Sequence, residues 1–152
     1  MKKTDLAYIA GIIDGEGCVG IYPRRSGKQY ITRASVAMSN TNEWICRWLY
    51  FAYGGCLRKD KKRSLNAKSC WRWIITGQIA LSFLKDIYPY LRLKRLQAQI
   101  AIEFLEARRG SGYPSTDAEL AVAEAQSVLM HKLNKVGSFT PAKSCKLKRI
   151  KS

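Results

Sequence analysis

Acidic residues are scarce in this sequence. Of its 152 residues only 11 are Asp or Glu, against 27 Lys or Arg, which gives a formal net charge of +16 at pH 7. Cations in such excess repel one another unless a polyanion lies against them, so the balance favours a nucleic-acid partner. Charge alone leaves DNA and RNA open, although no aromatic RNA-binding motif or zinc knuckle favours RNA.

Metal-binding and membrane-spanning patterns are also lacking. There is one histidine, and no Cys-x-x-Cys pair occurs among Cys18, Cys46, Cys56, Cys70 and Cys145, which argues against a zinc site and a disulfide framework. No apolar run of about 18 residues is present, and the N-terminal residues lack a signal-peptide core. We therefore expect an intracellular protein with no membrane partner.

A stripe of small residues lies near the N-terminus, in Tyr8-Ile-Ala-Gly-Ile-Ile-Asp-Gly-Glu-Gly17. A helix capped at Thr4 or Asp5 would bring one set of residues to a common face, namely Ala7, Ala10, Gly11, Asp14 and Gly15. Another face, with Leu6, Ile9 and Ile13, suits an ordinary core. The small face would let a second helix approach closely, so a helix–helix interface is predicted at Ala7, Ala10, Gly11 and Asp14.

Two carboxylates, Asp14 and Glu16, lie where Gly15 and Gly17 predict the end of this helix. The C-terminal end of a helix disfavours anions, because its carbonyl groups already project negative charge. A divalent cation, Mg²⁺ or Mn²⁺, is the natural compensation for the two carboxylates. Asp14 is expected to support the turn and the packing. The alternative is a buried helix with a capping Asp and no metal.

Residues Ile9 to Gly17 resemble the LAGLIDADG signature of homing endonucleases, with identical residues at Ala10, Gly11, Ile13, Asp14 and Gly17. The resemblance implies an α+β fold of the order αββαββα, with an antiparallel sheet that binds DNA. It also implies that motif helices of two half-domains pack together and that each delivers one metal-binding carboxylate, here Glu16, with the Gly15 backbone as the second predicted ligand. Glu in place of the usual Asp moves that carboxylate by about 1.3 Å.

Further site residues follow from the same resemblance. The segment from Tyr88 to Ala98 resembles the family's Pro-x-Leu-x-x-Lys stretch, so Lys94 is a catalytic candidate that acts on the phosphate or on the water network; the alternative is an ordinary lysine at a helix start. Ser39 and Asn40 lie where the family presents a polar side chain at a strand end, although Asn40 is equally suited to cap the next helix. Lys132 or Lys135 would supply a further basic group, and the sequence does not choose between them.

Periodicity predicts strands at 18–23, 30–38, 55–59 and 69–76. Helices are predicted from Asn40 or Thr41 to Tyr53 and at 78–87, 94–108 and 117–133. The two hairpins hold eleven cations and one acid, Asp60. A sheet with this charge can enter the major groove of DNA, and its alternative is a solvated charged face. The predicted DNA-binding residues are Arg24, Arg25, Lys28, Arg33, Arg58, Lys59, Lys61, Lys62, Arg63, Lys68 and Arg72.

One domain is predicted over residues 1–142, followed by a basic tail at 143–152. A single motif implies a homodimer, and a two-fold protein reads a near-palindromic site. The predicted function is a site-specific homing endonuclease that makes metal-dependent double-strand breaks in DNA, free-standing or intron-encoded, in an organelle or in bacterial or phage-infected cytoplasm. Two alternatives stay open: an RNA maturase that assists intron splicing, and a DNA-binding regulator that has lost cleavage.

Overall fold

The computed structural model describes residues 1–26, 29–60, 68–108 and 116–135. The described elements, in chain order, are α1 (Lys3–Glu16), β1 (Gly17–Ser26), β2 (Gln29–Asn40), α2 (Glu43–Tyr53), β3 (Cys56–Asp60), β4 (Cys70–Thr76), α3 (Gly77–Ile87), a 3₁₀ turn (Tyr88–Tyr90), α4 (Arg95–Glu106) and α5 (Asp117–Lys135). The predicted α+β class and the order αββαββα are confirmed, with α4 and α5 following. The predicted boundary at residue 142 and the tail at 143–152 lie outside the described ranges.

The first helix begins earlier than the sequence pattern predicts. Its N-cap is Lys2, whose backbone N–H donates to Asp5 Oδ2 at 3.3 Å. Asp5 therefore stabilises the first turn from inside the helix, because the positive N-terminal end of the helix dipole favours a carboxylate. The predicted cap at Thr4 or Asp5 is wrong. The C-terminal end is as predicted: Gly17 follows Glu16, and a Cβ there would lie 2.8 Å from Ile13 backbone atoms.

Helix α2 is capped by Asn42, not by Asn40 or Thr41 as predicted. The Asn42 side chain accepts a hydrogen bond from Trp44 N at 3.0 Å, which satisfies one of the free N–H groups of the first turn. The helix ends at Gly54, where a φ of 74° suits glycine, and this end was predicted. Asn40 is thereby released from the capping role.

The four strands form one antiparallel sheet in the order β1-β2-β4-β3. Side chains alternate between its faces, and the inner face is buried under the helices. Registered pairs on that face include Val19 with Val36, Val36 with Ile75, and Met38 with Trp73. The opposite face, called the outer face below, carries the alternate residues, such as Arg33, Arg58 and Arg72. The core therefore lies between one sheet face and the helices, and the outer face has no helix packed on it within the described ranges.

Helix α5 runs along the outside edge of β1. Ser127 Oγ donates to the Ile21 carbonyl and Asn134 Nδ2 donates to the Val19 carbonyl, both at 2.9 Å. These carbonyls point away from β2, so two side chains satisfy acceptors that an edge strand leaves free. Within the described residues, no helix has the length and apolar character needed to cross a membrane.

Candidate active site and nucleic-acid interface

Glu16 and Asn40 meet where α1 and β2 both end. The Asn40 amide nitrogen donates to Glu16 Oε2, and its Oδ1 accepts from the Asn42 backbone N–H at 2.7 Å. The amide is thus fixed from both ends, and it fixes the Glu16 carboxylate in turn. Glu16 is nonetheless exposed, so one oxygen is held while the carboxylate still faces solvent. The sequence predicted both residues as site residues, and the structure brings them together.

Asp14, two residues before Glu16, is enclosed by the protein. Its Oδ2 accepts from Arg92 N at 2.7 Å and its Oδ1 from Lys94 N at 2.9 Å, and the side chain is only 9% exposed. The carboxylate therefore anchors the segment between the 3₁₀ turn and α4 to the end of α1. The expected structural role of Asp14 agrees with these contacts.

The same anchor places Lys94 at the end of α1. The Lys94 backbone binds the Asp14 carboxylate, and the Lys94 Nζ donates to the Asp14 carbonyl oxygen. An ammonium at this position opposes the negative end of the helix dipole. The Asp14 carbonyl that it binds comes one residue before Gly15 and two before Glu16 in the chain. Lys94 is also the N-cap residue of α4, so both its predicted catalytic position and its alternative as a helix-start residue agree with its location.

Oxygen ligands at this helix end fit a divalent cation. The helical hydrogen-bond ladder closes with Gly17 N–H donating to the Ile13 carbonyl, so the Gly15 carbonyl lies beyond it. The Glu16 carboxylate adds a charged oxygen. Among the described residues, no group of three or more His, Cys, Asp or Glu side chains is placed to hold a metal. One carboxylate and one carbonyl per chain suit Mg²⁺ or Mn²⁺, which keep several water or phosphate oxygens as ligands.

The other predicted site residues lie farther from this cluster. Ser39 sits on the outer sheet face, opposite Arg72 in the register, whereas Asn40 points to the inner face. Lys132 and Lys135 are both exposed in the last turn of α5, which Asn134 ties to Val19 near the start of β1. The structure does not choose between these two lysines.

The predicted DNA-binding cations divide between the two sheet faces. Arg33, Arg58 and Arg72 lie on the outer face. Lys59 lies on the inner side, with its Nζ 5.6 Å from the centre of the Trp71 ring. Lys68 is exposed just before β4. The side chains of Arg24 and Arg25, and the residues Lys28, Lys61, Lys62 and Arg63, lie outside the described part of the chain.

Two further outer-face residues have defined partners. Asp60 forms ion pairs with Arg58 at 3.2 Å and with Arg72 at 2.9 Å. Tyr22 lies across Gly20, where a Cβ would overlap its ring, and its hydroxyl is 3.4 Å from Cys18 Sγ. Burial, with the Cys18 contact, raises the pKa of Tyr22 to about 12, so its phenol is neutral at pH 7. The predicted binding residues omit both, although strand alternation places Asp60 with Arg58.

The small face of α1 is split by the structure. Ala10 is 0% exposed and Asp14 is nearly buried, so both face the chain's own core beside Ile9 and Ile13. Ala7 and Gly11 are exposed, and a Cβ at Gly11 would meet no atom within 4 Å. Of the four residues predicted at a dimer interface, Ala7 and Gly11 are therefore the two that a second chain can contact. The interface at Ala7, Ala10, Gly11 and Asp14 stays a prediction.

Solved structures share this arrangement of elements. The chain is similar to the homing endonuclease I-CvuI in complex with DNA, at 20% identity and a TM-score of 0.71, over 86% of this chain and 82% of that one. It is similar to the homing endonuclease I-TnaI at 17% identity and a TM-score of 0.61, over 86% and 93%. It also matches the LAGLIDADG homing endonuclease I-GzeII in complex with its DNA target, at 10% identity and a TM-score of 0.56, over 80% of this chain and 42% of that one.

The chain has the LAGLIDADG homing endonuclease fold. In that fold Glu16 occupies the end of the helix that bears the signature-like sequence. No family model matches the sequence, and no curated protein does. At identities of 20% or less, the structural likeness establishes the LAGLIDADG fold.

Proposed function

We propose that this chain is a homing endonuclease that binds double-stranded DNA as a homodimer and makes metal-dependent double-strand breaks at a long, near-palindromic target. One observation carries the proposal. The Glu16 carboxylate, the Asn40 amide and the Lys94 ammonium converge at one end of α1, and Ser39, next to Asn40 in β2, lies opposite Arg72 on the outer face of the sheet. The LAGLIDADG fold of the chain supports it.

The homodimer follows from the number of carboxylates and from the exposed side of α1. Each chain presents one exposed carboxylate at the site, and phosphodiester cleavage on two strands needs two sites. The exposed α1 face is nearly flat at Ala7 and Gly11, which lets a second α1 come close. Two chains related by a two-fold axis then place two Glu16 carboxylates near each other, and they read a target with matching symmetry.

Each site residue has a separate task in this proposal. Glu16 and the Gly15 carbonyl would hold Mg²⁺ or Mn²⁺. When bound, the cation supplies charge stabilisation at the phosphate and lowers the pKa of a bound water. Asn40 keeps Glu16 in one orientation, and Lys94 offers a positive charge to the phosphate from a position set by Asp14. Ser39 lies on the DNA-facing side of the same strand end.

The outer sheet face would contact the duplex. Arg33, Arg58 and Arg72 are the described cations on this face, and the outer face is free of helices in the described ranges. Arg and Lys on such a face neutralise phosphates and reach guanine edges in the major groove. I-CvuI, whose fold is similar, has been crystallised with DNA in the presence of Mg or Ca. The protein would act inside the cell, in an organelle or in bacterial or phage-infected cytoplasm.

Cleavage of a randomised palindromic duplex library tests the proposal. Wild type is compared with Glu16→Gln and with the control Glu103→Gln, an exposed acid on α4, in Mg²⁺ and in EDTA, and the cut ends are sequenced. We expect Mg²⁺-dependent breaks at one two-fold site with wild type and the control, and a loss of about 1,000-fold or more with Glu16→Gln, since metal binding contributes several kcal/mol to such reactions.

Two outcomes would contradict the endonuclease. Selective duplex binding without cleavage under any divalent metal would indicate a DNA-binding regulator. Failure to bind duplex DNA, together with binding to structured intron RNA, would indicate a maturase.

A further inference from the structure

An acidic residue joins two arginines on the outer face of the sheet. Arg58 and Arg72 are direct cross-strand partners of β3 and β4, and Asp60 lies one outer-face position farther along β3. Two like charges directly opposite each other destabilise a sheet. Asp60 offsets this repulsion, and it does so on the face that the proposed function assigns to DNA.

Asp60 divides its two carboxylate oxygens between the two arginines. Its Oδ1 is 3.2 Å from Arg58 Nε, and its Oδ2 is 2.9 Å from Arg72 Nη2. Asp60 therefore bridges the two arginines as ion pairs, and each guanidinium has further N–H groups that can donate to another acceptor.

Arg72 carries a second sign of this division. Its Nε atom is buried and has no hydrogen-bond partner within the described residues, although the side chain is 35% exposed. A buried donor without a partner costs free energy, and such groups in native structures call for a structural or functional explanation. The ion pair with Asp60 holds Arg72 in this orientation despite that cost.

We propose that Asp60 is a positioning residue for sequence specificity, which holds the Arg72 and Arg58 guanidinium groups in the orientation that reads guanine in each half of the target. Arginine binds the O6 and N7 acceptors of guanine in the major groove through two N–H groups, and no other base pair offers that pattern. An arginine fixed beforehand loses less conformational freedom on binding, and it discriminates more sharply than a mobile one. The inference rests on the DNA-binding face of the proposed function.

The alternative role of this trio is phosphate binding, and the two roles respond differently to the loss of Asp60. Phosphate contacts carry no sequence information, so removal of a nearby negative charge would strengthen binding to all duplexes alike. If the arginines read guanine, removal of Asp60 frees them to reach phosphates, and discrimination falls while non-specific affinity holds or rises.

Selection from a randomised duplex library in Ca²⁺ or EDTA, followed by sequencing, measures the base preference at every position. Wild type is compared with Asp60→Asn, Asp60→Glu and Arg72→Lys. The control Glu106→Gln makes the same charge change on α4, away from the outer face, where Glu106 pairs with Lys85. We expect Asp60→Asn to lower the preference for guanine about tenfold at one or two positions of each half-site, and Arg72→Lys to lower it at one of the same positions.

Asp60→Glu keeps the charge and displaces the carboxylate, so it should lower the same preference by a smaller factor; it also serves if Asp60→Asn does not fold. Glu106→Gln should leave every preference unchanged. An unchanged preference in folded Asp60 variants, with uniformly tighter binding, would overturn the positioning role while leaving the DNA-binding face intact. A wild-type protein that selects no sequence would instead overturn that face, and the inference with it.

Discussion

The two sides of α1 differ in their exposure to solvent. The side that faces the core holds Ala10 and Asp14, both closed off from solvent. The side that faces outward holds Ala7 and Gly11, and Glu16 in the last turn is exposed as well, although it lies about 140° around the axis from Gly11. Asp14 and Glu16 are two residues apart and thus about 200° apart around the helix axis, since a helix turns about 100° per residue.

The difference in exposure distinguishes a carboxylate that anchors the fold, Asp14, from one that belongs to the candidate site, Glu16. Both carboxylate oxygens of Asp14 accept from backbone N–H groups, and the side chain is only 9% exposed. Glu16 is held by one side-chain amide and faces solvent. Asp14 and Glu16 are neighbours in sequence, yet they differ in exposure and in partners, because Asp14 lies against the segment that follows the 3₁₀ turn. Mutations at the two positions should therefore affect stability and cleavage separately.

The anchor should show the largest effect on stability. Asp14→Ala leaves the Arg92 and Lys94 N–H groups without an acceptor, and we expect a loss of about 4 kcal/mol in the free energy of unfolding, because each bond to a charged group contributes about 1.5–3 kcal/mol. Asp14→Asn keeps one acceptor and should lose about half as much. Urea denaturation measures both. The comparison fails if Glu16→Gln, expected to change stability by less than about 0.5 kcal/mol, is as destabilising as Asp14→Ala.

Lys94 contributes to both regions, through its backbone to the anchor and through its ammonium to the candidate site. Lys94→Met retains the backbone N–H that binds Asp14 and loses the bond from Nζ to the Asp14 carbonyl, so the free energy of unfolding should fall by about 1.5 kcal/mol, less than half of the loss expected for Asp14→Ala. Loss of the ammonium should lower the rate of cleavage by about 100-fold. The rate is measured on the target duplex at saturating protein, with Lys85→Met as a control on α3. If the variant unfolds as readily as Asp14→Ala, the lysine side chain belongs to the anchor.

A larger side chain on the exposed side of α1 should stabilise the single chain and weaken the dimer. Gly11→Leu places a good helix former at an open position, so the single chain should gain about 0.8 kcal/mol of stability at low protein concentration. The same side chain would separate two α1 helices, and we expect the dimer to dissociate at concentrations at which wild type stays associated. Sedimentation velocity distinguishes the two states, with Ala125→Leu on α5 as a control. An unaltered dimer would place the contact elsewhere, and a wild-type monomer would remove it.

Much of this architecture can be predicted from local pattern. Periodicity predicted a strand at 30–38, where β2 runs from Gln29 to Asn40, and glycines correctly marked the ends of α1 and α2. These features depend on neighbours in the chain, and the sequence shows those directly.

Features that depend on distant partners could not be predicted in the same way. Three adjacent residues, Asn40, Thr41 and Asn42, can all cap a helix, and what decides among them is the contact of Asn40 with Glu16 in another element. The orientation of Ala10 depends on α1 packing against α3 and the 3₁₀ turn, which no periodicity in α1 reveals. The Asp60 trio is an intermediate case, since alternation gives the shared face but not the ion pairs.

The contacts of α5 with β1 bear on how these molecules behave in concentrated solution. An edge strand with free carbonyls is a template on which another chain can pair and grow a fibre. Ser127 and Asn134 occupy the Ile21 and Val19 carbonyls, so that edge cannot accept a neighbour's strand without first losing α5. The opposite edge is β3, only five residues long and ending in Arg58, Lys59 and Asp60, whose charges discourage pairing. Both edges of the sheet therefore disfavour pairing with a strand of another copy of the chain.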